Sequence, residues 1–282
     1  MRKGDFIIET FNGVNEFLNV IGKRKPNKVF ENRELSSEEN DYKFFMTKDY
    51  AESEQIMATG YRDGLNNLKK SKSVKITHTS NVRKNIPKTG VVGYAPHVPN
   101  AIAGIPQSMI AQRKIEQHAK VVTIVYDCGA NASVDAERFV TAGRHLLDVV
   151  MMLELHGYRV RVDIQEAFCT QEEKAVCRIT VKNHRQPINP LKISYLLLHP
   201  SFFRRQGFRW LETTPELTNT SFPSTYGRPL YYQVDSDGAS TGKIREYLKV
   251  RGMLDNETFF TNFYEAENNS AEKLVSLMGI KK

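Results

Sequence analysis

Between residues 121 and 164 the spacing of apolar positions changes twice, and each change marks an element. Residues 121–126 form a short apolar, β-rich run, as a buried strand requires. Residues 127–132, Asp127-Cys128-Gly129-Ala130-Asn131-Ala132, are a loop of small side chains. Apolar positions then recur at helical spacing through Phe139, Ala142, Leu146, Val150 and Leu153. Ser133 is the expected cap of that helix, and Asp135 and Glu137 put negative charge at its positive end. Gly157 sits where a C-terminal glycine cap belongs. In residues 158–164, Val160, Val162 and Ile164 alternate with Arg159, Arg161 and Asp163, the pattern of a half-buried strand. Strand, helix, strand predicts a parallel pair joined by a right-handed crossover. Ligands of such units sit at the carboxyl ends of the strands, which places Asp127, Gly129, Asn131 and Ser133 at the natural site.

The alternation returns over residues 174–181, a third strand close to the second. Asn189-Pro190 is a helix start, a capping residue followed by proline at the first helical position, and Pro200 ends that helix. Ser201 caps a second helix over 202–211. A fourth strand is expected over 229–235, and helices over 242–254 and 268–278. Towards the N-terminus the pattern is weaker. Phe6, Ile7, Ile8 and Phe11 suit a strand or a short helical anchor, with residues 16–21 continuing it. Residues 49–68 read as a helix weakened by Gly60 and Gly64, and 74–79 as a strand. In residues 90–106, Gly90, Gly93, Pro96, Pro99, Gly104 and Pro106 exclude a long helix or central strand. The apolar residues there suggest a loop packed on the core, leading into a polar helix or loop over 107–120. The organisation expected is an N-terminal extension (1–48), a helix and Pro/Gly-rich region packed on the core (49–120), and an α/β core (121–282).

Composition changes this picture only at the margin. With 282 residues, 40% hydrophobic, the chain can bury one large core or two modest ones. A net charge of +8 favours an anionic partner, most simply nucleic acid. Cys128, Cys169 and Cys177 form no CxxC pair, so neither a zinc site nor a disulfide framework is indicated, and a reducing cytoplasm is the simplest compartment. No apolar run reaches the roughly 18 residues of a membrane span, and the N-terminal apolar segment, broken by Glu9 and Asn12, is not a signal peptide.

Candidate chemistry is sparse. Asp127, Asn131 and Ser133 form a degenerate metal or ligand loop, in which Gly129 and Asn131 stand where Asp-x-Ser-x-Ser metal loops carry hydroxyls. The bland reading is that Asp127 braces the loop. Cys128 lies near a helix N-terminus, where a thiolate is favoured, without a histidine that can be placed beside it. Asp235-Ser236-Asp237-Gly238 and Glu246 match a calcium loop poorly and read better as a turn. His97, between two prolines, lacks a partner at metal spacing. Arg204, Arg205 and Arg209 interleave with Phe202, Phe203, Phe208 and Trp210, which suits either a nucleic-acid grip or a helix with its aromatics in the core; the core is favoured. Lys69, Lys70 and Lys72 are a second set of candidate nucleic-acid contacts, and the cluster 23–28 a solvated loop or phosphate contact. No Walker A, GxGxxG, GxSxG or HExxH motif occurs, so no enzyme activity and no cofactor is expected.

Three stretches carry a resemblance: Gly60-Tyr61-Arg62-Asp63-Gly64, residues 93–109 (GYAPHVPNAIAGIPQSM), and the strand–helix–strand unit followed by His199-Pro200-Ser201-Phe202-Phe203-Arg204-Arg205. Together, over residues 50–235, they resemble an uncharacterised family of tailed-bacteriophage and prophage proteins. The α/β half also resembles a von Willebrand A-type domain, including those that partner AAA+ ATPases. The resemblance implies a Rossmann-type, von Willebrand A-like parallel sheet flanked by helices. The family brings no activity of its own; a binding-type fold without a complete catalytic set gives the expectation of a non-enzymatic phage-encoded interaction, adaptor or assembly protein in the cytoplasm of the infected host, one that host defence proteins could recognise. Its partner would be a phage or host protein, such as an AAA+ ATPase or a defence protein, with no membrane involved. Nucleic-acid binding in phage DNA replication or packaging is the alternative.

Overall fold

A computed structural model of the protein describes residues 2–30, 34–38, 41–66, 85–114, 120–231 and 241–280. At its centre is a six-stranded sheet in the order β1-β2-β8-β7-β6-β9. The strands are β1 (Arg2–Lys3), β2 (Phe6–Phe11), β6 (Val121–Asp127), β7 (Arg159–Cys169), β8 (Lys174–Lys182) and β9 (Phe259–Asn262). Apart from the two-residue edge strand β1, three of the four pairings are parallel: β2 with β8, β7 with β6, and β6 with β9. The exception corrects the all-parallel expectation. β8 runs antiparallel to β7 because residues 170–173 join them in a tight turn, closed by Thr170 N–H to Glu173 O at 2.8 Å. A turn that short has no room for the crossover a parallel pair needs.

The strand–helix–strand unit forms as the pattern predicts. α6 (Ala136–Leu155) follows β6 and delivers the chain to β7, with Val121 opposite Arg159 and Asp127 opposite Gln165. The N-cap is Asp135 rather than Ser133, with no side-chain cap bond; Asn131 instead uses its side-chain oxygen to accept from Ser133 N–H at 3.0 Å. Gly157 closes the C-terminal end of α6 at φ 82°, where Tyr158 N–H returns to Leu153 O. Asn189 caps α7 (Pro190–Leu198) by accepting from Lys192 N–H, as its Asn-Pro signature implies. α6 and α7 approach so closely that a Cβ on Gly143 would lie 2.0 Å from Leu197 O.

Alternating strand residues face two cores. Ile7, Ile124, Tyr126, Ile164 and Ile179 join the larger one, beneath α1 (Val14–Lys23), α6 and α7. Phe6, Val125, Val176 and Phe260 join the smaller one, beneath the helix Thr241–Val250. The sheet is therefore flanked by helices on both faces. Residues 1–48, expected as an extension, supply β2 and α1 to this sheet and its larger core. The helix expected over 49–68 divides into α3 (Tyr50–Thr59) and α4 (Arg62–Asn66) at Gly60, whose φ is 86°.

After α7 the chain forms a six-residue π-helix, Phe202–Gly207, continuous with α8 (Phe208–Thr213), where an uninterrupted α-helix was expected. Of the fourth strand expected over 229–235, the described residues hold one antiparallel bridge, Phe168 to Pro229. The strand expected over 74–79 and the loop 235–238 lie outside the described residues.

Residues 85–114 form a separate three-stranded antiparallel sheet, β3-β5-β4: β3 (Asn85–Gly90), β4 (Ala95–Pro96) and β5 (Met109–Lys114). Among the described residues it pairs with no strand of the main sheet. Its connecting segment carries α5 (Val98–Ile102), capped by His97, whose Nδ1 accepts from Asn100 N–H. This arm overturns the idea of a loop packed on the core. Val91, Val92, Tyr94, Val98, Ile102 and Ile105 are all exposed, Val92 at 81% and Ile102 at 83%.

Candidate functional site

The end of β6 brings Asp127 to the loop 128–134, as the sequence implies. Its carboxylate does not face an open site. It is 7% exposed; Oδ1 accepts from Gly129 N–H at 3.1 Å and Oδ2 from Gln165 Nε2 at 3.2 Å. Gln165 is held in turn by Arg178, which donates to its Oε1 at 2.5 Å. Burial pushes the Asp127 carboxyl up to about 6, against these hydrogen bonds. Asp127 thus braces the loop. Asn131 and Ser133 close a local turn on each other, and no group of three or more His, Cys, Asp or Glu side chains converges among the described residues. Cys128 is buried, and burial with Glu166 and Asp127 nearby pushes its thiol well up, away from the reactive thiolate its position suggested.

Beside the loop opens a crevice of about 530 Å³, walled by Phe44, Phe203, Phe208, Tyr226 and Arg204; Asp127 is not among its lining residues. Arg204 is 1% exposed. Its guanidinium lies over the rings of Phe44 and Phe139 and donates to Phe44 O and Val134 O, both at 2.6 Å. Burial lowers its pKa to about 10. Arg205 is fully buried over Phe45 and donates to Ser36 O, Glu38 O, Thr47 O and Thr47 Oγ1. Both arginines therefore fasten residues 36–47 to the π-helix. Arg209 pairs with Glu34 at 3.1 Å. In the 23–28 cluster, Arg24 is engaged by both oxygens of Glu9, at 2.8 and 2.6 Å. The structure therefore turns three of the six expected nucleic-acid contacts inward or into an ion pair; the other three, Lys69, Lys70 and Lys72, lie outside the described residues.

Two features escape a reading by motif. Glu166 is wholly buried on β7, and neither carboxyl oxygen has a hydrogen-bond partner among the described residues. Burial, with Asp127 nearby, pushes its pKa well up, which favours the neutral acid over the carboxylate. The second is the arm. Residues 67–120 contain ten Lys or Arg and a single Asp or Glu, a net +9, whereas the rest of the chain carries 30 against 31. A windowed charge count finds this stretch; a search for catalytic motifs does not. Among the described residues, no helix is long and apolar enough to cross a membrane.

Fold and site define a mixed α/β protein whose strand-end loop is internally satisfied and whose segment 91–105 exposes six large apolar side chains. The chain belongs to the family defined by a domain of unknown function, DUF7192, which matches residues 4–278. No curated protein and no solved structure matches it.

Proposed function

We propose that this protein works by binding a partner rather than by catalysis, as an interaction, adaptor or assembly factor. The observation that carries this reading is the contrast in exposure. The polar groups at the end of β6 are consumed by one another, while the arm turns six large apolar side chains to solvent. Contiguous exposed apolar surface marks an interaction site in a folded protein. The resemblance of its sequence motifs to tailed-phage and prophage proteins supports a setting in the infected host's cytoplasm. The likeness to von Willebrand A domains, supported by Asp127 at the end of a central parallel strand, suggests a phage or host protein partner, such as an AAA+ ATPase or a defence protein. Affinity capture and native mass measurement test it. We expect a stoichiometric complex that is lost when residues 91–108 are replaced by a Gly-Ser linker; an inert monomer in both assays would sink it.

A second reading, nucleic-acid binding in phage DNA replication or packaging, is favoured by one specific observation. The net +9 of residues 67–120 exceeds the +8 of the whole chain, so the basic character belongs to one stretch.

A further inference from the structure

We propose that the crevice beside the loop 128–134 binds a small aromatic carboxylate, whose ring lies among Phe44, Phe208 and Tyr226 and whose carboxylate is met by Arg204. This binding is independent of the arm and of its partner.

The two buried arginines of the π-helix differ in one respect. Every side-chain nitrogen of Arg205 has an acceptor: Nε in Thr47 Oγ1, Nη1 in Ser36 O and Glu38 O, and Nη2 in Thr47 O. Arg204 is left incomplete. Its Nη1 donates to Phe44 O and its Nη2 to Val134 O, but its Nε–H has no acceptor among the described residues. Nη2, on the same edge of the guanidinium as Nε–H, otherwise reaches only Asn131 O, at 3.5 Å. A buried polar group without a partner is costly, the more so when it is charged. Asp41 and Asp135 act on Arg204 through space and not through a hydrogen bond. The Nε–Nη2 edge is the one a carboxylate engages with two parallel hydrogen bonds. Arg204 and Asn131, which meet at that edge, both line the crevice.

The walls select the rest of the ligand. At about 530 Å³ the crevice has the size of a small-molecule site. No Asp or Glu is among its described lining residues, and Arg228 adds a second cation, so an anion suits it. Phe44, Phe203, Phe208 and Tyr226 make most of the wall, with the Phe208 and Tyr226 rings edge to face at 5.1 Å. Tyr226 offers its ring and not its hydroxyl, which donates to Glu212. Gly227, at φ 67°, lets the segment 224–228 close against this wall: a Cβ there would lie 2.8 Å from Phe208 Cζ. A flat apolar body fits among aromatic rings. One open guanidinium edge matches a carboxylate, whereas phosphate sites surround their ligand with more donors, as at glycine-rich loops.

The test is isothermal calorimetry on the full chain, with naphthoate as the probe, naphthamide as its neutral counterpart and inorganic phosphate as a second anion. The wild type is expected to bind naphthoate with a submillimolar Kd, and about tenfold or more tightly than naphthamide. Arg204→Lys keeps the charge but removes the Nε–Nη2 edge, and should erase the preference for the acid. Ala132 lines the crevice and is exposed, so Ala132→Trp should fill the space and abolish binding at an unchanged melting temperature. That variant keeps the test decisive even where Arg204→Lys weakens the fold. Four results would overturn the proposal: equal affinity for acid and amide, undiminished binding by Ala132→Trp, phosphate bound more tightly than naphthoate, or no naphthoate bound up to about 5 mM.

Discussion

The loop after β6 and the arm after β3 are opposites. The loop occupies the place where α/β proteins bind ligands, yet Asp127 gives both carboxylate oxygens to its own chain. The arm occupies no conventional site, yet it exposes Val92 and Ile102 almost fully. Position in the fold predicts a site only when the groups delivered there are left with unmet interactions. By that measure the strand end is part of the scaffold, and the arm is where the chain has unmet interactions to offer.

The contrast can be broken from the scaffold side first. Gly143→Ala drives a Cβ into Leu197 O and should cost roughly 3 kcal/mol or more, read as a lower melting temperature. A mild effect would mean that α6 and α7 are not locked together. Arg205→Met removes the donors from three main-chain carbonyls and should cost about 2–3 kcal/mol in urea unfolding. Were Arg205 a nucleic-acid contact, the same change would leave stability alone and weaken binding.

Acid offers the next test. Burial lowers the His199 pKa from 6.5 to about 3, so the folded protein prefers the neutral ring. Its contribution is present above 6.5 and is lost as pH falls toward 3, on the order of 2 kcal/mol near pH 5. His199→Asn should flatten that limb of the urea midpoint against pH. Glu166 has the opposite sign. Its folded pKa lies above the unfolded 4.5, so its contribution is complete below 4.5 and drains away as pH rises. Glu166→Gln should match the wild type in acid and be the more stable of the two above neutrality. The smallest effect belongs to the arm: Val92→Ser with Ile102→Ser should change stability by no more than about 0.5 kcal/mol. A large loss of stability would mean that these side chains are buried in solution, and the contrast would fail.

How legible the molecule is from sequence depends on how local the cause is. The β6–α6–β7 unit, β8 and the Asn189 cap follow from periodicity and capping, which need only a few neighbouring residues. β2 was ambiguous because FIIETF carries no alternation, and its partner lies over 160 residues away. β9, at four residues, is too short for any period to show. The π-helix is invisible because a run such as FFRRQGFRWL suits either helix type, and the acceptors of its two buried guanidinium groups lie far away in sequence, in residues 36–47 and at Val134. The arm was misread because β-branched residues ordinarily imply burial. Nothing local says that the segment carrying them leaves the core. For the candidate site, Asp127 was legible as to place, but its occupancy by Gln165 depends on register across two strands.

The pairing of β2 has a consequence for synthesis. Residues 6–11 lie parallel to residues 174–179, and Asn27 reaches across to the carbonyls of Thr214 and Leu217. β2 therefore has no parallel partner to settle against until residues 174–179 have been made. Until then its apolar side chains, Phe6, Ile7 and Phe11, wait in the open. Segments far apart in the sequence thus close this part of the sheet together.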